Sequence, residues 1–378
     1  MVDNLKKKKL VTIIAGGTGG HIYPSIGIIN KLKKNFNLCF ITDERGYNFL
    51  LKNNINYKHN DIDFFRYDIS SPFKQGFKNK MKFLILFFIS LIKILIFLFK
   101  NKPYFQIGFG GYTTVLPCLI GKLLFKINFY IHEQNVIMGR ANRFLEKFTL
   151  KSFISFENTY PTRFVEKRIY CGTPIRKEIN LRKNNHIKSN KLNILILGGS
   201  LGSNFFSNSL VKCIVKLDES YLKKIFLYHQ VVNDLVDNVK SIYKKNNVPS
   251  EVKNFFFNIE YYYAKADLVI CRSGGSTIAE ILQLKIPSII IPLSQALDDH
   301  QKLNSNIIKD NDLGSVIDEV NFNEKVFINL ITDIIDNEGL LKNIKLHFQK
   351  FTKKNNKLKN FQTSEEIIFK NLISNDSS

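Results

Sequence analysis

The feature that most constrains this chain is a short apolar run that ends in glycines, met twice. Leu10-Val-Thr-Ile-Ile-Ala15 runs into Gly16-Gly17-Thr18-Gly19-Gly20-His21, and Leu192-Asn-Ile-Leu-Ile-Leu197 runs into Gly198-Gly199-Ser200-Leu201-Gly202-Ser203. An apolar run of this kind suits a strand buried on both faces, which is the habit of parallel sheets covered by helices. Further runs of the same type are Leu38–Thr42, Asn128–His132, Phe153–Phe156, Lys224–Tyr228, Leu268–Cys271 and Ser288–Pro292, separated by helix-like stretches. That alternation predicts an α/β fold of two doubly wound, Rossmann-like halves. A length of 378 residues agrees with two domains. The polar stretch Arg176–Lys191 is poor in core residues and reads as the connection. The expected domains are 1–178 and 192–378, with 179–191 as linker and the last helix free to pack back on the first domain. Ligands of open α/β sheets sit at the carboxyl ends of strands, where both glycine turns fall, so a cleft between the halves is the expected site.

Composition narrows the function classes. Hydrophobic residues make up 44% and charged residues 23%, which excludes wholesale disorder. Lys+Arg is 55 against Asp+Glu 32, a net charge of +23. Such an excess suits a polyanionic partner or a basic composition spread over the surface. Basic residues are not concentrated in an aromatic-interleaved patch, so no nucleic acid is expected. The five cysteines form no C-x-x-C or Cys/His cluster, which fits a reducing cytoplasm with neither zinc site nor disulfide framework. Lys6–Lys9 precede the first run, but that run turns to glycine too early for the apolar region of a secretory leader. One segment breaks the rhythm. Phe83–Phe99 is apolar apart from Lys93, with Lys78, Lys80 and Lys82 before it and Lys100 and Lys102 after it. Three readings compete: a buried helix, a helix lying on an anionic membrane surface, and a membrane span. The second does not exclude the first, because one face can pack while the other meets lipid.

Several turns offer chemistry. Glycines at Gly16–Gly20 let backbone N–H groups approach an anion, and a helix opening near Ile22–Ser25, with Pro24 in its first turn, adds partial positive charge. The alternative is a tight turn without a ligand. Ile22 stands where a dinucleotide fingerprint needs glycine, and no P-loop pattern occurs. Arg272-Ser-Gly-Gly-Ser-Thr277 follows the run Leu268–Cys271 and offers hydroxyls, amides and a helix start, with Glu280 either a hydroxyl acceptor or an ordinary surface glutamate. His132-Glu133-Gln134-Asn135 places four hydrogen-bonding side chains at a strand end, as a polar site or as a satisfied buried cluster. Gly108-Phe-Gly-Gly-Tyr112 is a further glycine turn, and Arg176 ends Gly172-Thr-Pro-Ile-Arg176 where it could reach phosphate. Metal signals are poor: Asp61-Ile-Asp63 does not follow a clear strand, and Asp298-Asp299-His300 looks like helix-start chemistry.

Together these stretches resemble the MurG-type family, the UDP-N-acetylglucosamine–N-acetylmuramyl-(pentapeptide) pyrophosphoryl-undecaprenol N-acetylglucosaminyltransferases of peptidoglycan synthesis. The matching segments are Gly16–His21, Gly108–Tyr112, Ile131–Asn135, Cys171–Arg176, Gly198–Ser203, Ala266–Glu280 and Asp298–Asn304, in the family's order. The resemblance implies a GT-B glycosyltransferase whose two Rossmann-like domains face a central cleft. It implies inverting transfer of N-acetylglucosamine from UDP to the C4 hydroxyl of the muramic acid sugar of lipid I, giving lipid II. It also implies a peripheral position on the cytoplasmic face of the bacterial inner membrane, and no required cofactor or metal. By resemblance, Thr18, Gly19, Gly20, Asn135, Arg176 and Ser200 contact the donor, and Phe256 meets the uracil through its backbone. Gly275, Ser276, Thr277 and Glu280 line the ribose, phosphates and sugar, with Glu280 on the ribose, and Gln301 bonds the transferred sugar. His21, Tyr112, His132 and Glu133 face the acceptor. His21 is the first candidate for general base, since an unperturbed histidine titrates near neutrality, and Glu133 is the second. The chain departs from the family pattern at Leu201, at Ser203 and in Thr113-Thr-Val-Leu-Pro117.

Two rivals come from other classes. A UDP-N-acetylglucosamine 2-epimerase shares the architecture but needs neither a lipid acceptor nor a membrane-facing segment. A non-enzymatic basic membrane-surface protein would use Phe83–Phe99 as an anchor and would need neither the glycine turns nor Arg176.

Overall fold

The computed structural model describes residues 8–52, 62–68, 77–182, 189–199, 202–296, 299–358, 360 and 362–374. The chain divides into two compact units, Met1–Ile175 with Gln362–Ser378, and Arg176–Phe361. The first is built on seven strands: β1 (Leu10–Ile14), β2 (Asn37–Thr42), β3 (Ile62–Arg66), β4 (Phe105–Gly108), β5 (Asn128–Glu133), β6 (Lys151–Ile154) and β7 (Arg168–Tyr170). They pair in the order β3-β2-β1-β4-β5-β6-β7, all parallel. Side chains of β1 alternate between two cores, as the period of a strand requires. Val11 and Ile13 pack with Ile22, Ile26 and Ile29 of the helix Gly19–Leu32, and with Ile367, Ile368 and Leu372 of the helix Ser364–Ile373. Ile14 packs on the other face with Ile94 and Leu98 of the helix Phe77–Asn101, and with Leu116 and Ile120 of the helix Val115–Phe125.

The second unit has six parallel strands: β8 (Leu192–Leu197), β9 (Ile225–Gln230), β10 (Ser250–Lys253), β11 (Leu268–Cys271), β12 (Ser288–Ile290) and β13 (Gly314–Val316). Their order is β10-β9-β8-β11-β12-β13. One core gathers Ile194 and Ile196 of β8, Ile270 of β11, and Phe327 and Ile331 of the helix Glu324–Asp336. In both sheets the strand order reverses direction at the first strand of the unit. β1 lies between β2 and β4, and β8 lies between β9 and β11. The turns after β1, β4, β8 and β11 therefore all leave the carboxyl edge at a topological switch point, where open sheets bind ligands.

Two boundaries differ from those expected. The stretch read as linker begins as a helix, Lys177–Arg182, which packs on the helices Ile259–Lys265 and Gly275–Leu284 of the second unit. Its Ile179 is buried, and two apolar residues, Ile179 and Leu181, among polar and charged neighbours are too faint a pattern to read. Residues 183–188 of that stretch lie outside the described residues. The second unit accordingly starts at Arg176, and the helix Ser364–Ile373 belongs to the first. The helix after β1 also starts earlier than expected. The Thr18 carbonyl accepts from the amides of His21 at 3.1 Å and Ile22 at 3.2 Å, so the glycines themselves are the first turn and Pro24 lies beyond it.

Candidate active site

The first-unit site gathers the turns after β1, β4 and β5. Gly17 N–H donates to Asp43 Oδ1 at 3.0 Å, and Gly46 N–H donates to the same oxygen at 2.8 Å. Asp43, at the end of β2, thereby fixes the glycine turn. His21 sits in the first turn of the helix Gly19–Leu32, half-buried, with its ring against the turn after β4. A Cβ on Gly110 would stand 2.9 Å from His21 Cε1, and Gly110 has φ +98°, so glycine is needed there on both counts.

The strand end His132–Asn135 is densely bonded. His132 is fully buried and stacks on Phe109 with ring centroids 5.4 Å apart. Its Nε2–H donates to the Gly172 carbonyl at 3.0 Å. Burial pushes the His132 imidazole down to about 4, partly offset by the Gly172 bond, so the ring is neutral at neutral pH. Gln134 Nε2 donates to His132 Nδ1 and to the His132 carbonyl, each at 2.9 Å. Gln134 Oε1 lies 3.2 Å from His21 Nδ1. Glu133 is also buried, and four donors occupy its two oxygens. Oε1 accepts from the amide and side chain of Asn135 at 3.0 Å each, and Oε2 accepts from Gly139 N–H and Asn142 Nδ2 at 2.9 Å each.

In the second unit the helix Gly275–Leu284 opens at Gly274, with Ser276 and Thr277 in its first turn and no acidic residue there. Glu280, one turn on, is 7% exposed, which removes the surface-glutamate alternative. Its Oε1 accepts from Arg176 at 3.0 Å and its Oε2 from Tyr263 OH at 2.8 Å. Arg176, expected to reach for phosphate, is held by Glu280 within the same unit. Ser273 Oγ donates to the Gln301 carbonyl at 2.7 Å, and Gln301 Oε1 accepts from Leu293 N–H at 3.0 Å. Phe256 is buried, and its ring packs at a tilt of 46° against Tyr262 with centroids 4.2 Å apart. Arg272 ties the two glycine turns together. Its Nη2 donates to Ser203 Oγ and to Glu319 Oε1, both at 2.8 Å, and its Nη1 to the Ile291 carbonyl at 3.0 Å. Burial alone would raise the Glu319 carboxyl, but the Arg272 bond and the Ser294 amide hold it below the ordinary carboxylate value.

The structure thus brings His21 and His132–Asn135 together in one unit, and Arg176, Gly275–Glu280 and Gln301 in the other. Thr18 and Gly20 are exposed, and Tyr112 is half-buried at the start of a short 3-10 turn. His132 does not face outward, as an acceptor contact would, because both its ring nitrogens are spent inside the fold. Ser200, Leu201, Asp61 and Asp298 lie outside the described residues. Among the described residues no three His, Cys, Asp or Glu side chains gather as cation ligands. Sequence reasoning did not single out Asp43 or Asn142, and it gave no separate role to Gln134, Arg272 or Asn304, whose Nδ2 donates to the Ser273 carbonyl at 3.0 Å. The signal for Gln134, Arg272 and Asn304 was present, since all three sit inside the motifs His132–Asn135, Arg272–Thr277 and Asp298–Asn304.

Two doubly wound parallel sheets, each with glycine turns and a helix start at its switch point, define the GT-B class of α/β proteins. Within that class the chain belongs to glycosyltransferase family 28, whose N-terminal domain matches residues 11–154 and whose C-terminal domain matches residues 193–360. It is 31% identical to the UDP-N-acetylglucosamine–N-acetylmuramyl-(pentapeptide) pyrophosphoryl-undecaprenol N-acetylglucosamine transferase of Rickettsia bellii, over 93% of this chain and 97% of the relative. The protein of the same name from Vesicomyosocius okutanii is 34% identical over 87% of this chain and 90% of the relative. A crystal structure of MurG from Acinetobacter baumannii superimposes with a TM-score of 0.68 at 24% identity, covering 90% of this chain and 95% of that one, a likeness of fold.

Proposed function

We propose that the chain transfers N-acetylglucosamine from UDP-N-acetylglucosamine to the C4 hydroxyl of the N-acetylmuramyl sugar of lipid I, with inversion, forming lipid II. The observation that carries this reading is the end-to-end similarity to transferases of that name, at 31% identity over 93% of the chain. In the reaction the acceptor oxygen attacks the anomeric carbon, the bond from that carbon to the UDP phosphate oxygen breaks, and the hydroxyl proton passes to a base. UDP leaves carrying the bonding pair. The first turn of the helix Gly275–Leu284, with its amides and the Ser276 and Thr277 hydroxyls, is suited to stabilise that charge. We assign donor contacts to Thr18, Gly19, Gly20, Asn135, Ser200, the Phe256 backbone, Gly275, Ser276, Thr277 and Gln301. Arg176 and Glu280 act as a joined pair, and we assign the pair to the ribose end of the donor. Tyr112 meets the acceptor, and His21 is the base. Glu133, with both oxygens already filled, and His132, with both nitrogens filled, support the site from within it.

Membrane contact belongs to the same reading. The helix Phe77–Asn101 packs one edge through Ser90, Ile94, Phe97 and Leu98, while Leu84, Ile85, Phe88, Ile92, Ile96 and Phe99 stay exposed. The window Leu84–Asn101 has a mean hydropathy of 2.3 and is 22% buried. Soluble surfaces rarely carry so continuous an apolar stripe. A helix that packs along one edge and is bare along the other suits lying in a membrane interface, with Lys93 and Lys100, both exposed, available to anionic headgroups. On this reading the protein is peripheral, on the cytoplasmic face.

The test is a transfer assay with radiolabelled UDP-N-acetylglucosamine and a short-chain lipid I analogue, in the presence of EDTA. Label in a β-1,4-linked disaccharide lipid is the expected result. Conversion of the donor to UDP-N-acetylmannosamine would move the epimerase reading forward. No reaction after magnesium is restored would remove the transferase reading.

A further inference from the structure

We propose that Gln134 is a positioning residue that sets which nitrogen of His21 carries the proton, and that the backbone carbonyls of His132 and Gly172 are what orient it. The inference rests on His21 being the base of the transfer.

The argument starts from groups that cannot change role. A backbone carbonyl only accepts. The Gly172 carbonyl, 3.0 Å from His132 Nε2, therefore requires a proton on that nitrogen. A second carbonyl, that of His132 itself, lies 2.9 Å from one end of the Gln134 amide, so that end must be the NH2. The amide cannot be turned over without setting oxygen against oxygen in a buried place, Gln134 being 1% exposed. The same NH2 group also reaches His132 Nδ1 at 2.9 Å, and in the neutral ring that nitrogen is bare and accepts. The two requirements agree, and burial keeps the His132 ring neutral.

With the NH2 turned inward, Oε1 is the end left for His21, and it stands 3.2 Å from Nδ1. An amide oxygen also only accepts, so His21 Nδ1 carries the proton. The neutral His21 ring is then the Nδ1–H tautomer, and its lone pair is on Nε2. That is the form a general base needs. When Nε2 takes the acceptor's C4 hydroxyl proton, as the oxygen bonds to the anomeric carbon and UDP departs with its electron pair, the imidazolium keeps its Nδ1–H on the Gln134 oxygen. No reorientation is required during the step. The Gly110 turn holds the ring from one side, since a Cβ there would fall 3.0 Å from Nδ1. Without Gln134 the two tautomers would exchange, and the ring would lose the bond that fixes its angle.

The experiment has two independent readings. Protein labelled with 15N-histidine gives two-bond proton–nitrogen correlations that separate bare from protonated ring nitrogens, and His21 is assigned by its loss in His21→Ala. The wild type is expected to show His21 with Nδ1 protonated and Nε2 bare at neutral pH. An Nε2–H tautomer there would overturn the proposal. Gln134→Met keeps length and removes the amide. It is expected to lower kcat about 10–100-fold while leaving KM for UDP-N-acetylglucosamine within about twofold, with mixed tautomer signals from His21. A Gln134→Met enzyme with wild-type kcat, folded by its melting profile, would overturn it. Near-normal turnover by His21→Ala with saturating donor would instead remove His21 as base. The tautomer result then stands or falls by itself, so the two failures are distinguishable.

Discussion

Glu133 shows how far a residue's surroundings decide its work. By type and place it is a base candidate, yet four donors fill its oxygens, and it fastens β5 to the segment Asn135–Asn142. Glu133→Gln would turn an NH2 toward N–H groups that now donate to the carboxylate, setting donor against donor in a buried place. The expected loss is about 3 kcal/mol of stability, read as a lower denaturation midpoint. His132 yields a prediction on pH. Its folded-state value is about 4 against an ordinary 6.5, so the unfolded chain binds the proton more tightly. Its contribution to stability is complete above pH 6.5 and is lost as the pH falls from there through about 4. His229, in the second unit, is pushed down to about 3 by burial, partly offset by the Phe206 bond, and acts in the same direction. Unfolding near pH 5.5 should therefore take up roughly one proton per buried imidazole, measurable from the slope of unfolding free energy against pH. Residue types at the site were legible from sequence, because the strand-end motifs name them. Their division of labour was not, since which member of His132–Asn135 turns inward depends on carbonyls at Gly172 and His132 that no local pattern announces.

At the scale of elements, long apolar strands were readable and short mixed ones were not. β1, β8 and β11 stand where their runs place them. β4 is only Phe105–Gly108 with a buried Gln106, and β10 is Ser250–Lys253, so neither offers a run to recognise. β6 starts at Lys151, ahead of the expected Phe153, because pairing of Lys151 with Tyr130 of β5 sets its register. The apolar stretch at Phe83–Phe99 left three readings, and burial counts against the wholly buried helix. Ile94 and Leu98 belong to a core, while Phe88 and Ile92 are 58% and 56% exposed. Phe88→Asp with Ile92→Asp should therefore leave the fold intact, as judged by melting. If this edge meets lipid, losing two buried side chains at about 1.5–3 kcal/mol each lowers affinity for anionic vesicles at least about a hundredfold in flotation assays. Unchanged vesicle binding by the double variant would show that another surface makes the contact.

At the scale of the whole molecule, the chain leaves the first unit at Ile175 and returns to it at Gln362. The returning helix is tied down by specific bonds as well as by apolar packing. Thr363 and Glu366 form a reciprocal cap at its start, Ser364 Oγ donates to the Cys171 carbonyl at 2.7 Å, and Glu365 accepts from Ile175 N–H at 3.1 Å. Asn371 Oδ1 accepts from Lys151 Nζ at 3.1 Å. Ile367, Ile368 and Leu372 complete the core that holds Val11, Ile13 and the helix carrying His21. Removing residues 362–378 would expose that core. At about 1.5–3 kcal/mol for each of three buried side chains, the loss rivals the whole stability of a domain. The core around β8 contains no residue from this helix. Calorimetry of the truncated chain should therefore lose the transition of the first unit and keep that of the second near its original temperature. Two unaltered transitions would mean that the helix is an ornament on the first unit; loss of both would mean that the second unit depends on the first for its fold.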